Sequence, residues 1–166
     1  MIADGEMVET VLDAGGFAHG HTYAGNPLAC SAGLAVLGEI DRLDLMANAR
    51  AMGEVLMTGL GNLMDRHSFI GDVRGKGLLT AFEMVSDRDT MAPLPKHLNA
   101  HERFVDLCYE RQLITYSRRT RGGLEGDHFL VCPPLIITPA QINEIILTLT
   151  DCLDVMAAEM NLPVTR

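Results

Sequence analysis

The chain has 166 residues, which is enough for a domain with its own hydrophobic core. Hydrophobic residues make up 48% of it and charged residues 21%, as in ordinary globular proteins. The net charge of −9 argues against binding nucleic acid, and no apolar run is long enough for a membrane-spanning helix. The acidic N-terminus is unlike a signal peptide, so the expected compartment is the cytoplasm.

Helical periodicity predicts four helices after a short helical turn at residues 7–12. They cover residues 27–41, 45–64, 98–111 and a last segment that begins at Pro139. The helix at 27–41 is small and apolar on most sides, so it is expected to be buried. Before the last helix, Thr138 is the expected N-cap and Gln141 stands at the capping-box position.

Four short apolar segments predict β-strands at residues 69–73, 78–85, 113–117 and 128–132. Glycines separate the first two, and a glycine-containing turn at 120–127 separates the last two. The expected fold is α/β with α+β character: a mostly antiparallel sheet with packed helices. The chain lacks the regular strand–helix–strand series of a large parallel-sheet domain. Residues 86–95 are expected to form a surface connection, and 161–166 a frayed tail.

The segment His19-Gly20-His21-Thr22-Tyr23-Ala24-Gly25-Asn26 leads directly into the helix predicted from Pro27. Its two glycines permit sharp bends and a close approach to a ligand. Asn26 is a good N-cap and proline suits the first helical position. The start of a helix favours an anion, and Thr22 adds a hydroxyl donor. The segment therefore predicts a phosphate-binding loop, with an ordinary loop before a buried helix as the alternative.

Histidine and cysteine spacing predicts no metal site. For His19 and His21 no third ligand stands at a useful spacing, so an ordinary role in a loop is the preferred interpretation. His97 and His101 have the spacing of a helical zinc pair, but Leu98 stands where the metalloprotease signature needs glutamate. The four cysteines form no C-x-x-C pair.

Three motifs resemble those of class III aminotransferases, which are pyridoxal-phosphate (PLP) enzymes acting on ω-amino and related amines. Residues 19–32 are similar to the family's H-G-x-T-Y-x-G-x-P-x-x-x-A. Residues 73–83, V-R-G-K-G-L-L-T-A-F-E, are similar to V-R-G-x-G-L-x-x-x-x-E. Residues 126–138, G-D-H-F-L-V-C-P-P-L-I-I-T, are similar to G-D-x-x-x-x-x-P-P-L-I-I-T. Three motifs in the family's order make a more specific signal than one.

The resemblance implies the small C-terminal domain of a fold-type-I PLP-dependent transferase. Residues 1–26 would end the large domain with the cofactor-phosphate loop, and residues 27–166 would form the linking helix and the small domain. By resemblance, Thr22 hydrogen-bonds the PLP phosphate across a homodimer interface, in the partner's active site. Tyr23 would stack in or position the same loop.

Arg118 and Arg119 are the candidate substrate-binding residues. The resemblance implies a mobile arginine before the G-D segment, and guanidinium suits bidentate binding of a substrate carboxylate. The segment here is longer than the commonest spacing, so the choice between the two arginines stays open. An exposed arginine-rich hairpin is the alternative. Arg74 and Glu83 are better interpreted as structural residues.

The implied reaction moves an amino group from an amine or ω-amino acid to a keto acid such as pyruvate. In the family, the lysine that binds PLP covalently lies upstream of the phosphate loop. Here eighteen residues precede His19 and none is lysine, while Lys76 and Lys96 do not match the lysine motif. The chain is therefore expected to hold no catalytic residue and to be inactive alone. The alternatives are aminomutase or decarboxylase chemistry in the same family, a non-catalytic dimerisation or binding module, or a truncated gene product.

Overall fold

The computed structural model describes residues 3–120 and 125–164; the side chains of residues 119, 120 and 125 lie outside this description. The chain divides into two compact units, Met1–Arg42 and Leu43–Arg166. The helix predicted at residues 27–41 belongs to the first of these units. The domain division proposed after residue 26 stays a prediction.

The first unit contains two helices. Helix α1 spans Gly5–Asp13 and begins after Asp4, whose carboxylate accepts a hydrogen bond from the amide of Glu6 at 2.8 Å. Helix α2 spans Pro27–Arg42 and contains no buried residue. The prediction that this helix is buried was wrong. A unit of this size has too little chain to enclose an apolar helix on several sides.

The second unit carries three long helices and an antiparallel sheet. Its elements are α3 (Leu45–Arg66), β1 (Ile70–Lys76), β2 (Leu79–Asp87), β3 (Ala92–Pro93), a 3₁₀ turn (Lys96–Leu98), α4 (Ala100–Glu110), β4 (Tyr116–Thr120), β5 (Glu125–Val131) and α5 (Pro139–Met160). The strand order is β1-β2-β5-β4, and the short β3 pairs with β2. Among the described strands β4 pairs with β5 alone, so it lies at an edge of the sheet.

Three phenylalanines form the centre of the core. Phe82 of β2 stacks on Phe129 of β5 at a ring-centroid distance of 4.9 Å, and the two are direct neighbours in the strand register. Phe104 of α4 meets both rings edge-on, at 5.6 and 4.6 Å. Edge-on and offset arrangements are the favoured geometries for aromatic pairs. Buried leucines of α3 and α5 join the same core, among them Leu56, Leu60, Leu149 and Leu153.

A charged cluster joins the end of α3 to α5. His67 is buried, with Nδ1 3.0 Å from the carbonyl oxygen of Leu63 and Nε2 2.8 Å from an Asp154 carboxylate oxygen. Arg66 binds the same carboxylate through two hydrogen bonds of 3.0 and 2.6 Å. The Arg66 guanidinium and, secondarily, the His67 contact lower the pKa of Asp154. The partly exposed carboxylate of Asp154 therefore joins α3 and α5, the two longest helices.

The capping box predicted for the last helix is confirmed. The Thr138 hydroxyl accepts a hydrogen bond from the Gln141 amide at 3.4 Å, and the Gln141 side chain accepts one from the Thr138 amide at 3.0 Å. By contrast, the predicted frayed tail was wrong as far as Val164, which forms a β-bridge with His67. Ser68 also donates a hydrogen bond to the carbonyl oxygen of Pro163 at 3.1 Å.

Several strand boundaries differ from the sequence prediction, among them those of β4 and β5. β4 begins at Tyr116, three residues later than predicted, and residues 113–115 lie outside the ladder. The opposite strand β5 ends at Val131, and Pro133 and Pro134 follow it. Proline has no amide hydrogen to donate, so the ladder with β4 stops there. β5 begins at Glu125, which shortens the turn predicted at residues 120–127; its residues 121–124 lie outside the described structure.

Candidate active-site residues

The predicted phosphate loop is organised by its own backbone. The amide of Ala24 donates to the carbonyl oxygen of His21 at 2.9 Å, and the amide of Asn26 donates to that of Tyr23 at 3.0 Å. Gly25 has a φ of 75°, a conformation that glycine adopts without strain. Thr22 lies in these turns with its side chain exposed, and Tyr23 is 75% exposed. A hydroxyl is thus presented to solvent directly before α2.

The Asn26 cap of α2 is confirmed, and it changes the expected anion site. The Asn26 carboxamide oxygen accepts hydrogen bonds from the amides of Leu28 and Ala29, at 3.0 and 3.2 Å. These amides are therefore already satisfied within the helix end. The expected anion site keeps the Thr22 hydroxyl and the positive end of the α2 dipole but loses these two amides as donors.

These groups fit one end of PLP. A phosphate needs hydrogen-bond donors and positive potential, which the Thr22 loop and the start of α2 supply. The aldehyde end needs an amine, and residues 1–42 contain no lysine. The first unit can therefore hold the phosphate of the cofactor without binding it covalently.

The candidate arginines lie on the edge strand β4, in the second unit. Arg118 is exposed, and one of its terminal nitrogens donates to the Tyr116 hydroxyl at 2.8 Å. Its other N–H groups remain available to a carboxylate. The backbone of Arg119 is paired with that of Asp127, while its side chain lies outside the described structure. The choice between the two arginines therefore stays a prediction, and Arg121 lies outside the described residues.

Sequence reasoning missed a buried contact behind these arginines. Asp127 of β5 is 3% exposed, and its carboxylate lies 3.4 Å from Nδ1 of His101 on α4. This separation is within the range of an ion pair when the imidazole is protonated, and His101 Nδ1 has no hydrogen-bond partner among the described residues. The Gly126-Asp127 motif marks the aspartate in the sequence, but nothing in the sequence marks its burial. The contact joins α4 to the strand that pairs with β4.

The V-R-G-K-G motif serves packing. Arg74 binds the carboxylates of Asp72 and Glu83 at 2.5 and 2.9 Å, and these contacts raise the pKa of its guanidinium. These contacts support the interpretation of Arg74 and Glu83 as structural residues, which stays a prediction. Gly77 has a φ of 57° and lies directly against Gly53 of α3, where a Cβ atom on Gly53 would come within 2.6 Å of the Gly77 backbone.

The second unit also contains an open cavity of about 670 Å³. Its walls are residues 111–115 before β4, residues 130–134 at the end of β5, and the first half of α5. It lies where β4 and β5 separate, because the ladder ends before the two prolines. The sequence did not predict the cavity, because residues 113–117 were expected to form a strand along their whole length, paired with the strand at residues 128–132.

Within residues 3–120 and 125–164, every helix is too short or too polar to cross a membrane. The same ranges hold no cluster of three or more histidine, cysteine, aspartate or glutamate side chains suited to a metal ion.

The family model for class-III aminotransferases matches residues 1–153. The 5-aminovalerate aminotransferase DavT of Pseudomonas aeruginosa is 36% identical over 138 residues, which are 83% of this chain and 31% of that protein. The uncharacterized aminotransferase YodT of Bacillus subtilis is 30% identical over 165 residues, or 97% of this chain and 36% of that protein. This chain thus spans about a third of the length of these curated relatives.

Solved structures agree with the sequence relatives. An aminotransferase from Bacillus anthracis superimposes with a TM-score of 0.74 at 32% identity, over 90% of this chain and 34% of that one. A transaminase from the marine bacterium Virgibacillus gives 0.79 at 26% identity, over 93% and 34%. These likenesses confirm the predicted fold class, the small C-terminal domain of a PLP-dependent transferase. The chain belongs to the class III aminotransferase family.

Proposed function

We propose that this chain is the C-terminal part of a PLP-dependent enzyme that transfers an amino group from an amine or ω-amino acid to a keto acid such as pyruvate. The exposed Thr22 loop in front of α2, inside the region matched by the family model, carries the proposal. The names of relatives support the substrate class. They include DavT and the mitochondrial alanine–glyoxylate aminotransferase 2 of Homo sapiens, which is 32% identical over 125 residues.

Each candidate residue has a separate task. The Thr22 hydroxyl donates a hydrogen bond to the phosphate of PLP, and Tyr23 positions the loop. Arg118 or Arg119 binds the carboxylate of the keto acid, for which a guanidinium offers two parallel donors. PLP, when bound, supplies the electron sink for the reaction.

The whole enzyme is proposed to be a homodimer with a shared active site. Helix α2 supports this, because several of its large apolar side chains are more than half exposed: Leu28, Leu34, Val36 and Leu37. Large apolar side chains exposed on several sides of one helix favour a protein surface that covers them. Thr22 precedes this helix by a few residues, so a second subunit on α2 would lie close to the phosphate loop.

We further propose that the chain is inactive alone. Its two lysines are exposed side chains of the second unit, Lys76 at the end of β1 and Lys96 in the 3₁₀ turn. Neither belongs to the unit that holds the phosphate loop. Transfer of an amino group therefore needs a lysine that these residues do not provide.

A labelling experiment tests the inactivity. The chain is mixed with equimolar PLP, reduced with borohydride and analysed by peptide mass spectrometry, alongside Lys76→Arg and Lys96→Arg. We expect scattered, substoichiometric labelling of both lysines. Stoichiometric labelling of one lysine, abolished by its own arginine variant alone, would contradict the proposal.

A second experiment tests the enzyme itself. The DNA upstream of Met1 is read for an in-frame lysine motif, and the complete reading frame is expressed with Thr22→Val. Loss of a hydrogen bond to a charged group should weaken PLP binding about tenfold or more. Thr58→Val, in α3, is the control. An upstream frame without a lysine codon, or PLP affinity unchanged by Thr22→Val, would refute the assignment.

One relative favours a second candidate, other chemistry of the same family. The leucine/methionine racemase of Thermococcus litoralis is 35% identical over 126 residues. Racemisation of an amino acid without consumption of a keto acid would identify such chemistry in the complete enzyme. A non-catalytic module would instead form a stable complex with a protein partner in the absence of PLP.

A further inference from the structure

We propose that His19 and His21 form a two-imidazole site for a divalent transition-metal ion such as Zn²⁺. Their Nε2 atoms lie 3.2 Å apart, and the two rings are nearly perpendicular, with centroids at 4.7 Å. Both side chains are exposed in the single chain, so an ion can reach them from solvent where no second subunit covers the loop. The sequence shows two histidines separated by one residue, and the structure adds the convergence of their ring nitrogens.

The separation of the two nitrogens fits a shared metal ion. Zinc binds imidazole nitrogen at about 2.0–2.1 Å, and tetrahedral angles then place two such ligands about 3.3 Å apart. The observed 3.2 Å differs from this by about a tenth of an ångström. A shared ion requires that the exposed rings rotate until both lone pairs point at it. Without a metal, the contact is favourable only when one Nε2 carries a hydrogen and the other does not.

The site is expected to be open and exchangeable. The described residues contain no cluster of three or more metal-binding side chains, so water would fill the remaining positions. Imidazole is a ligand suited to Zn²⁺, Ni²⁺ and Cu²⁺, and Cu²⁺ should bind most tightly of the three. His21 directly precedes Thr22, so a bound ion would add positive charge beside the loop. The metal site does not depend on the proposed enzymatic function.

The test is a titration with ZnCl₂ alone, measured by isothermal titration calorimetry. Cys30 and Cys132 are exposed thiols that could bind zinc themselves, so all proteins carry Cys30→Ser and Cys132→Ser. His19→Ala and His21→Ala are compared with His97→Ala, which removes another exposed histidine. We expect the parent to bind one zinc ion per chain. Because a chelate needs both ligands, His19→Ala and His21→Ala should each lower the zinc affinity about tenfold or more. His97→Ala should leave the affinity unchanged.

Three calorimetric results would overturn the proposed zinc site. No zinc binding, or loop variants that bind as tightly as the parent, would overturn the proposal. Two independent weak sites, with each variant removing one without affecting the other, would also overturn it. Nuclear magnetic resonance of the ring nitrogens gives a second measurement. The signals of His19 and His21 should shift together at the same zinc saturation, and a shift of one ring alone would refute a shared ion. Circular dichroism spectra confirm that the variants are folded.

Discussion

Gly53→Ala should destabilise the second unit, although alanine is the better helix former. Gly53 lies in the middle of α3, and an added Cβ would come within 2.6 Å of the C, Cα and O atoms of Gly77. Carbon atoms in contact lie about 3.5–4.0 Å apart, so the overlap is about 1 Å. The atoms in the way are backbone atoms of the turn between β1 and β2. They cannot rotate aside as a side chain would.

The magnitude follows from two opposing terms. Overpacking of this kind costs about 1–3 kcal/mol, and rigid backbone places Gly53→Ala in the upper part of that range. Replacing glycine by alanine within a helix returns about 1 kcal/mol. The expected net loss is about 1–2 kcal/mol in the free energy of unfolding. Gly61 in the same helix has no atom within 4 Å of its would-be Cβ, so Gly61→Ala should gain about 0.5–1 kcal/mol.

Urea unfolding followed by far-ultraviolet circular dichroism measures both effects, with midpoint and slope fitted for each protein. The two variants should move in opposite directions and differ by about 1.5–3 kcal/mol. Gly59→Ala should fall between them, because its Cβ would meet the flexible Ile146 side chain. The reasoning is refuted if Gly53→Ala is as stable as the parent while Gly61→Ala gains the expected amount. That outcome would mean that α3 does not approach the turn so closely.

Three further predictions concern the charged cluster and the helix cap. Asp154→Asn should lower the free energy of unfolding by about 1–2 kcal/mol in urea, because it removes the carboxylate bound by Arg66 and His67. The loss is limited because about a third of the Asp154 side chain is exposed to water. An unchanged midpoint would show that these contacts contribute nothing to stability. Because folding lowers the pKa of Asp154, its contribution is complete above the ordinary aspartate pKa of about 3.9 and is lost as pH falls through the folded value. The stability difference between parent and Asp154→Asn should therefore shrink below about pH 4. A difference that grows on acidification would contradict a lowered pKa of Asp154 in the folded state. Thr138→Ala should cost about 1 kcal/mol by the same assay, with Thr148→Ala, inside the helix, as the control for hydroxyl loss away from the cap.

The long helices were predictable from local signals: apolar residues at helical spacing for residues 45–64, and the Asn26 cap with the apolar stretch after Pro27 for residues 27–41. The helix expected at residues 27–41 is observed at Pro27–Arg42, and that expected at 45–64 at Leu45–Arg66. The caps were also local, since Asn26 and Thr138 act on residues two or three positions away. Local chemistry of this kind can be read from a sequence without knowledge of the fold.

The errors concern tertiary neighbours. The apolar side chains of residues 113–117 favour a strand, but residues 113–115 have no partner in the ladder. The partner strand β5 ends before Pro133, which has no amide hydrogen to donate. The burial of α2 was expected from its composition, whereas burial depends on what surrounds a helix. The approach of Gly53 to Gly77 joins residues 24 positions apart, and neither glycine differs in the sequence from those in loops.

For the candidate site, the sequence predicted residue types and the structure supplied their surroundings. Thr22 and Tyr23 are exposed in a hydrogen-bonded loop, and Arg118 is exposed on β4; their roles stay predictions. The use of the α2 amides by Asn26 was not foreseen, although the cap itself was. The buried neighbour of the arginine strand, Asp127, was out of reach for sequence reasoning because its contact with His101 crosses from sheet to helix.

The position of β4 at the border of its sheet affects how the arginines should be studied. Among the described strands, β4 has a neighbour on one side only. A strand of this kind can pair with another extended chain, and positively charged side chains are a common defence against such self-association. Arg118 and Arg119 are therefore expected to limit self-association through their charge, whether or not they bind a carboxylate. Replacing them with neutral residues would remove both properties at once and confuse aggregation with loss of substrate binding. Lysine preserves the charge while abolishing the paired donors, so Arg→Lys is the substitution that separates the two roles.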